Sequence, residues 1–169
     1  MKSQTLFSLL LLVPGWMLSS QSQAPRDPAA VEVITMLDKH DQALNQHDLE
    51  AVMRLYVSSP KTVVIGTGPG ERYEGLQEIR NAYTEFFKDF DKGTLKRDCL
   101  WKDGASIGNA AWVAGDCKMS DSFAGKRREY EMNVSATLER QNGQWKFAML
   151  HFSHLTGSAE PETSKRGGN

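Results

Sequence analysis

Two histidines near the C-terminal end of the sequence, His151 and His154, flank a serine in the motif HFSH. Imidazole nitrogens can ligate metal ions and can act as general acids or bases near neutral pH. The motif lies in a stretch with the pattern of a β-strand, in which successive side chains leave opposite faces. Positions 151 and 154 are an odd number apart, so the two rings cannot ligate one metal without a β-bulge. No other histidine or Cys-x-x-Cys pair stands at ligand spacing, and the sequence predicts no metal site.

Proton transfer inside a dry cavity is the other chemistry that these residue types can supply. It needs a base and a hydrogen-bond donor that stabilises negative charge on a carbonyl oxygen. The candidate donors are Tyr56, Tyr83, Trp112, His151 and Ser153. The candidate bases are Asp116, Glu129, Glu131 and His151. Asp116 shares a strand face with Trp112, and His151 shares one with Ser153, so Asp116 and His151 are the candidate catalytic residues.

Each candidate also has a purely structural interpretation. A single histidine on a mostly apolar strand is commonly a hydrogen-bonded core residue. Glu129 and Glu131 alternate along their strand, which is typical of a face in water. Tyr83 lies on an aromatic helix face and fits a core position. The sequence does not contain a complete combination of a catalytic base and a hydrogen-bond donor. Two interpretations therefore stay open: an enzyme, and a non-catalytic binding or assembly module.

The two ends of the chain differ from its middle. The first 22 of the 169 residues run from one lysine through an apolar stretch to small polar residues, the order of a secretory signal. Cleavage after Ser22 predicts a secreted or periplasmic protein with no membrane contact afterwards. Residues 157–169 have the composition of a disordered tail. One folded domain is therefore expected at 28–156, and a net charge of −1 gives no basis for nucleic-acid binding.

Hydrophobic periodicity predicts an α+β domain. Apolar residues recur at helical spacing in three segments, the second capped by Asp48, and alternate at strand spacing in five. The predicted helices cover 28–45, 49–56 and 76–90. The predicted strands cover a short segment within 61–68 and then 94–104, 110–120, 127–140 and 144–155, the last four forming an antiparallel meander. Asn142-Gly143 is the strongest hairpin signal.

Strands that are apolar on both faces indicate a partner for the sheet. An antiparallel sheet normally keeps one face polar. In the last strand Trp145, Phe147, Met149, His151 and Ser153 are expected on one face, yet the opposite face is also largely apolar. The helices can cover only one of these faces. The other predicts a homodimer formed through the sheet.

The only two cysteines, Cys99 and Cys117, fall on the two strands of one hairpin. In an oxidising compartment they are expected to form a disulfide. A two-residue turn at Gly108-Asn109 would leave them one residue out of register, whereas a three-residue turn or a single bulge would place them directly opposite. The alternative is a pair of buried, reduced thiols.

Four segments together resemble the SnoaL-like branch of the nuclear transport factor 2-like superfamily: HDQALNQHDLEAVMRLYV, YEGLQEIRNAYTEFF, GNAAWVAGD and LERQNGQWKFAMLHFSH. The resemblance covers about residues 31–155, and its most specific part is Trp145 followed by His151 and Ser153. The sequence is also similar to the association domain of calcium/calmodulin-dependent kinase II. The resemblance implies a cone-shaped curved sheet wrapped on three N-terminal helices, an apolar cavity, and dimerisation through the sheet.

Relatives of this kind include ketosteroid isomerases, polyketide cyclases, dehydratases and assembly domains without catalysis, so the function depends on the site. Many place an arginine where this chain has Ser135. The expected function is binding of a small, largely apolar molecule in the cone, without a cofactor. The alternative is an isomerase, dehydratase or cyclase that acts by acid/base chemistry on a small carbonyl or polyketide-like substrate. The expected pocket residues are Tyr56, Trp112, His151 and Ser153.

Overall fold

The computed structural model describes residues 28–154, so the predicted signal at 1–22 and the predicted tail at 157–169 lie outside the described residues. Three helices and six strands form an α+β domain, which confirms the predicted class. The helices are α1 (Pro28–Asn45), α2 (Leu49–Arg54) and α3 (Gly75–Phe86). The strands are β1 (Val63–Ile65), β2 (Arg72–Glu74), β3 (Lys96–Ile107), β4 (Ala110–Phe123), β5 (Lys126–Gln141) and β6 (Gln144–His154).

The six strands form one curved sheet in the order β2-β1-β6-β5-β4-β3. Strands β3 to β6 are the predicted antiparallel meander, and β1 pairs in parallel with β6. Strand β2 was not predicted: its segment has the composition of a turn, but Tyr73 pairs with Val64 of β1. Asp48 caps α2 as expected, because its carboxylate accepts a hydrogen bond of 2.8 Å from the Ala51 amide.

The core lies between the helices and one face of the sheet, here called the inner face. Val33 and Leu37 of α1 are fully buried there, as are Phe147 and Leu150 of β6. Helix α1 comes close to β3 at Gly104, where an added Cβ atom would lie 3.3 Å from the Ile34 side chain and 2.8 Å from the backbone oxygen of Trp112 on β4. The opposite side of the sheet is here called the outer face.

A β-bulge divides β6 into two halves with opposite orientation. Thr137 of β5 pairs with Met149, but the next residue, Leu138, pairs with Phe147, which leaves Ala148 as the extra residue on β6. Side chains at odd positions therefore face inward before the bulge, and side chains at even positions face inward after it. Leu150 is fully buried beside Val64, whereas its neighbour His151 pairs with the exposed Ile65. The prediction of a single face from position 145 to 153 was wrong for this reason.

A second bulge, at Leu100, sets the register of the two cysteines. The hairpin between β3 and β4 has the two-residue turn, with Ile107 opposite Ala110. The register then shifts between Cys99 and Trp101, and this brings Cys99 directly opposite Cys117. The two sulfurs are bonded at 2.06 Å. The structure therefore contains the predicted disulfide, reached through the bulge rather than the longer turn.

Candidate functional site

A cavity of about 940 Å³ lies between helices α1 and α3 and the inner face of the sheet. All four long strands contribute to it, because their inward-facing side chains near one end of the meander meet there. Much of the wall is apolar, and its apolar side chains include Leu44, Val64, Leu95, Met119, Met132 and Phe152. Such a surface favours a ligand with a large apolar part.

A chain of three buried polar residues stands against this wall. His40 of α1 and Tyr83 of α3 both line the cavity, and the His40 Nε2 lies 2.8 Å from the Tyr83 hydroxyl. The Tyr83 hydroxyl also forms a short hydrogen bond with the hydroxyl of Tyr56. Burial lowers the pKa of His40 and raises the pKa of both tyrosines. All three side chains are therefore neutral at pH 7. Together they can donate or accept hydrogen bonds without carrying a net charge.

Arg97 of β3 carries a buried positive charge into the cavity. Its side chain is only 4% exposed, and its Nη2 lies 2.8 Å from a carboxylate oxygen of Asp41. The same Asp41 oxygen is 3.9 Å from the Nδ1 of His40. The Nε and Nη1 atoms of Arg97 have no hydrogen-bond partner within residues 28–154. Two buried donors at the cavity wall are thus not satisfied by the described part of the chain, and neither are the neighbouring Asp41 Oδ1 and His40 Nδ1 atoms.

The cavity mouth is held by a second ion pair. Arg128 donates to both carboxylate oxygens of the buried Asp121, at 2.6 and 3.0 Å, and also to the Asp89 carbonyl. The Tyr130 hydroxyl donates to Asp121 at 3.1 Å. Burial, together with the Asp121 charge, raises the pKa of Tyr130 to about 12. The rest of the mouth carries exposed carboxylates: Glu71, Glu78, Glu85, Asp89 and Glu129.

The predicted pocket residues do not line this cavity. Tyr56 is buried and reaches the cavity only through Tyr83. Trp112 lies on the outer face and is 44% exposed. His151 and Ser153 lie on the outer face as well, because the bulge at Ala148 reverses the orientation of the second half of β6. This placement corrects the prediction that they line the interior.

The candidate base Asp116 also points away from the cavity. It pairs with Asn133, which pairs in turn with Ser153, so the three form a row across the outer face. Asp116 and His151 therefore cannot act on a molecule bound between the helices and the sheet. Of the wider set of candidates, Tyr83 and Glu129 line the cavity, and Glu131 does not.

Sequence reasoning missed two deeply buried polar groups of the site, His40 and Arg97. A signal for His40 was present, because it falls at helical spacing within the apolar stripe of α1. A signal for Arg97 was also present, because strand alternation places it on the same face as Leu95 and Cys99. What the pattern could not show is that both residues meet at one cavity. Within residues 28–154 there is no group of three or more side chains suited to hold a metal ion.

Comparisons with known proteins agree with this architecture. The family model of a SnoaL-like domain matches residues 33–157. A nuclear transport factor 2-like superfamily protein from Salmonella enterica is similar in structure, with a TM-score of 0.66, 20% identity, and coverage of 79% of this chain and 96% of that chain. A protein from Xanthomonas campestris, assigned as a calcium/calmodulin-dependent protein kinase II association domain, has a TM-score of 0.65, 21% identity, and coverage of 75% and 87%. No curated protein sequence matches the chain.

Proposed function

Because this chain belongs to the SnoaL-like domain family, we propose that it binds a small, largely apolar molecule in the cavity between its helices and its sheet. The observation that carries the proposal is the cavity itself: about 940 Å³, with a largely apolar wall. Binding sites for small molecules commonly fall between about 300 and 1,000 Å³ and combine an apolar wall with a few polar groups. His40, Tyr83 and Arg97 are those polar groups here.

The first test looks for a molecule that the protein retains. Solvent extracts of the purified protein are analysed by mass spectrometry, and titration with 2-ethylnaphthalene measures binding of a purely apolar probe. Ala82 lines the cavity from α3, so Ala82→Trp is expected to fill part of it and to weaken probe binding about tenfold or more. Thr84→Trp, an exposed position on the same helix outside the lining, is the matched control. Equal binding by both variants would place the ligand elsewhere.

Acid/base catalysis is the second candidate function, and the chain of His40, Tyr83 and Tyr56 favours it. In the tautomer with the proton on Nε2, His40 and Tyr56 both donate to the Tyr83 oxygen. The Tyr83 hydroxyl is then free to donate to a carbonyl oxygen in the cavity and to stabilise an enolate. Next to Tyr83, the described cavity lining has no unpaired carboxylate that could act as the base. Catalysis is therefore the second candidate function, after binding.

Proton exchange tests the catalytic alternative without a known substrate. The methyl protons of 2-acetylnaphthalene lie next to its carbonyl, and an enzyme of this kind would exchange them with deuterium from heavy water. The expected signature is exchange that the protein accelerates and Tyr83→Phe abolishes, followed by nuclear magnetic resonance. Exchange at the buffer rate with bound ketone would leave the protein as a binding module.

We also propose that the protein is exported and that it forms a homodimer. Disulfides persist in oxidising compartments, so the Cys99–Cys117 bond supports a secreted or periplasmic location. Trp101 and Trp112 are exposed on the outer face, and such a surface supports association of two sheets. Sequencing the mature N-terminus tests export, with Gln23 expected as the first residue. Within residues 28–154, no helix is long and apolar enough to cross a membrane.

A further inference from the structure

The first six residues of β5 have a strand partner on one side only. Strand β5 begins at Lys126, but β6 ends at His154, which pairs with Met132. Residues 126–131 pair with β4, and the described part of the chain places no strand along their other edge. Tyr130 is half-buried and the other five residues are exposed. A free strand edge of this kind can accept a further strand, because its N–H and C=O groups are unpaired.

The chain itself continues from His154, at the end of this free edge. Strands β5 and β6 are antiparallel, so each residue added to β6 lies opposite the preceding residue of β5. The observed register therefore continues from Leu155 opposite Glu131 to Glu160 opposite Lys126. Six further residues of β6 would cover the free edge completely.

The sequence of this continuation fits the free edge in its charge and in its length. The register brings the carboxylate of Glu160 beside the ammonium group of Lys126, and opposite charges that face each other across two strands are stabilising. Pro161 follows directly and has no amide to donate, so the added strand would end where β5 ends. Gly157 and Ala159 are poor strand formers. The pairing is therefore weak unless a further contact stabilises it.

A molecule in the cavity can supply that contact. Tyr130 and Arg128 line the cavity from β5, and residues directly opposite each other in two strands lie on the same face of the sheet. Thr156 and Ser158 would therefore stand beside these two side chains and extend the wall of the cavity mouth. A bound molecule that touches this added wall gains contacts that exist only in the paired state, so it shifts the equilibrium towards pairing.

We propose that residues 155–160 form a strap, which continues β6 along the free edge of β5 when the cavity is occupied and closes part of the cavity mouth. The inference rests on the proposed binding function and adds a means of regulating entry to and release from the same site. The occupant of the edge is this segment of the same chain, because its attachment at His154 gives it a high effective concentration there.

Hydrogen–deuterium exchange of the unaltered protein, with and without 2-ethylnaphthalene, tests the strap. The amides of residues 126–131 that point away from β4 are the ones that the strap would cover. With the probe bound, these amides are expected to exchange about threefold more slowly or better, which corresponds to a strap paired in about two thirds of the molecules or more. Amides of the same residues that already bond to β4 are the internal reference.

Proline substitutions assign the protection to the strap. Gly157→Pro combined with Ser158→Pro prevents pairing, because one of two successive amides of a strand must point to β5. This variant is expected to lose the added protection and to bind the probe about threefold more weakly, because coupling between two equilibria is reciprocal. Thr163→Pro combined with Ser164→Pro makes the same kind of change beyond the reach of β5 and is the matched control.

Charge reversal tests the register of the strap. Glu160→Lys places two ammonium groups opposite each other at Lys126 and is expected to reduce the added protection about twofold or more. Reversal of both charges, Lys126→Glu with Glu160→Lys, is expected to restore it. Glu162→Lys, two positions further along, is the control and is expected to leave the protection unchanged. A double reversal that restores nothing overturns the proposed register.

The outcomes separate the strap from the binding function. If the probe binds but leaves the exchange of residues 126–131 unchanged, the strap is overturned and the binding function stands. Protection that survives Gly157→Pro with Ser158→Pro assigns the edge to another segment and also overturns the strap. Protection that rises with protein concentration assigns the edge to a second copy of the chain, with the same consequence. If 2-ethylnaphthalene does not bind, the proposed binding function fails, and the strap fails with it.

Discussion

His40 and Arg97 are polar residues placed where the chain would otherwise bury apolar ones. Full burial of an imidazole disfavours its charged form, so His40 is kept neutral and bonded to Tyr83. Arg97 cannot lose its proton and instead keeps Asp41 beside it. Both arrangements cost stability relative to an apolar core. Their position on a cavity wall suits recognition of a polar group on a ligand.

The burial of His40 predicts a loss of stability in mild acid. Its folded pKa lies below the ordinary value of 6.5, because burial disfavours the imidazolium. Below pH 6.5 the unfolded chain binds a proton that the folded chain does not, so stability is complete above pH 6.5 and falls as the pH falls towards the folded pKa. The limiting slope is about 1.4 kcal/mol per pH unit. Urea unfolding at pH 7.5 and 5.5 is expected to show a smaller loss for His40→Gln.

His47 is common to both proteins in this comparison, and its pKa is also lowered, first by burial and then by Lys92. Its contribution has the same sign, so only the difference between the two proteins reports on His40. Equal losses for the unaltered protein and His40→Gln between the two pH values would contradict a buried, neutral His40.

The disulfide between two single residues leads to a second prediction about stability. Cys99 and Cys117 are separated by 18 positions. Closing a loop of this length stabilises the fold by about 3 kcal/mol in the chain-entropy model. Cys99→Ser combined with Cys117→Ser is expected to lower the free energy of unfolding by about that amount. Thiol titration of the unfolded, unreduced protein is expected to find no free thiol, and two per chain would refute the bond.

At the scale of elements, one extra residue in β6 decides which side chains reach the cavity. Without the bulge at Ala148, His151 and Ser153 would continue the inward row of Trp145 and Phe147. With it, Leu150 takes the inward position, and Phe152 and His154 line the cavity. The bulge thus places an apolar residue, Leu150, in the core where a histidine would otherwise lie. It also places His151 and Ser153 of the HFSH motif on the outer face.

Two alanine substitutions test the bulge. Leu150→Ala removes a fully buried side chain and is expected to destabilise the protein by about 2–5 kcal/mol. His151→Ala, one position along, changes a half-buried residue of the outer face and is expected to cost less than about 1 kcal/mol. Chemical denaturation of both variants gives the comparison. A larger loss for His151→Ala would mean that the strand runs without the bulge.

At the scale of the whole molecule, the sheet has two faces with different tasks. The inner face closes the core and the cavity. The outer face carries Trp101 and Trp112, exposed at 52% and 44%, beside the polar row of Asp116, Asn133 and Ser153. Large exposed aromatic side chains of this kind are typical of a surface that a partner covers. A second copy of the chain offers the same surface through a two-fold axis.

The expected assembly is a dimer with roughly 2,000 Å² buried in total. Trp112→Glu would bury a carboxylate without a partner in this interface and is expected to produce monomers. Val31→Glu is the control, because Val31 is an exposed apolar residue on α1, away from the sheet. Light scattering at micromolar concentration measures the mass of each. A monomeric unaltered protein would contradict assembly through the outer face.

The order of the elements and most of their bounds followed from local pattern alone. Strands expected at 110–120 and 127–140 are observed at Ala110–Phe123 and Lys126–Gln141, and α1 ends at Asn45 as expected. This success has a physical reason. Apolar periodicity and turn residues act over a few positions, so the sequence carries them directly. The resemblance to SnoaL-like domains agrees with the family match over residues 33–157.

The site itself depended on contacts that no local pattern contains. The bulge at Ala148 arises from how β5 and β6 pair, and a one-residue shift moves every later side chain to the other face. His40 and Tyr83 are 43 positions apart, and only the packing of α1 against α3 and the sheet brings them to 2.8 Å. The sequence by itself determined the three helices and five of the six described strands, and their order. The tertiary structure alone decided which polar side chains share one cavity, because strand register and helix packing set that choice.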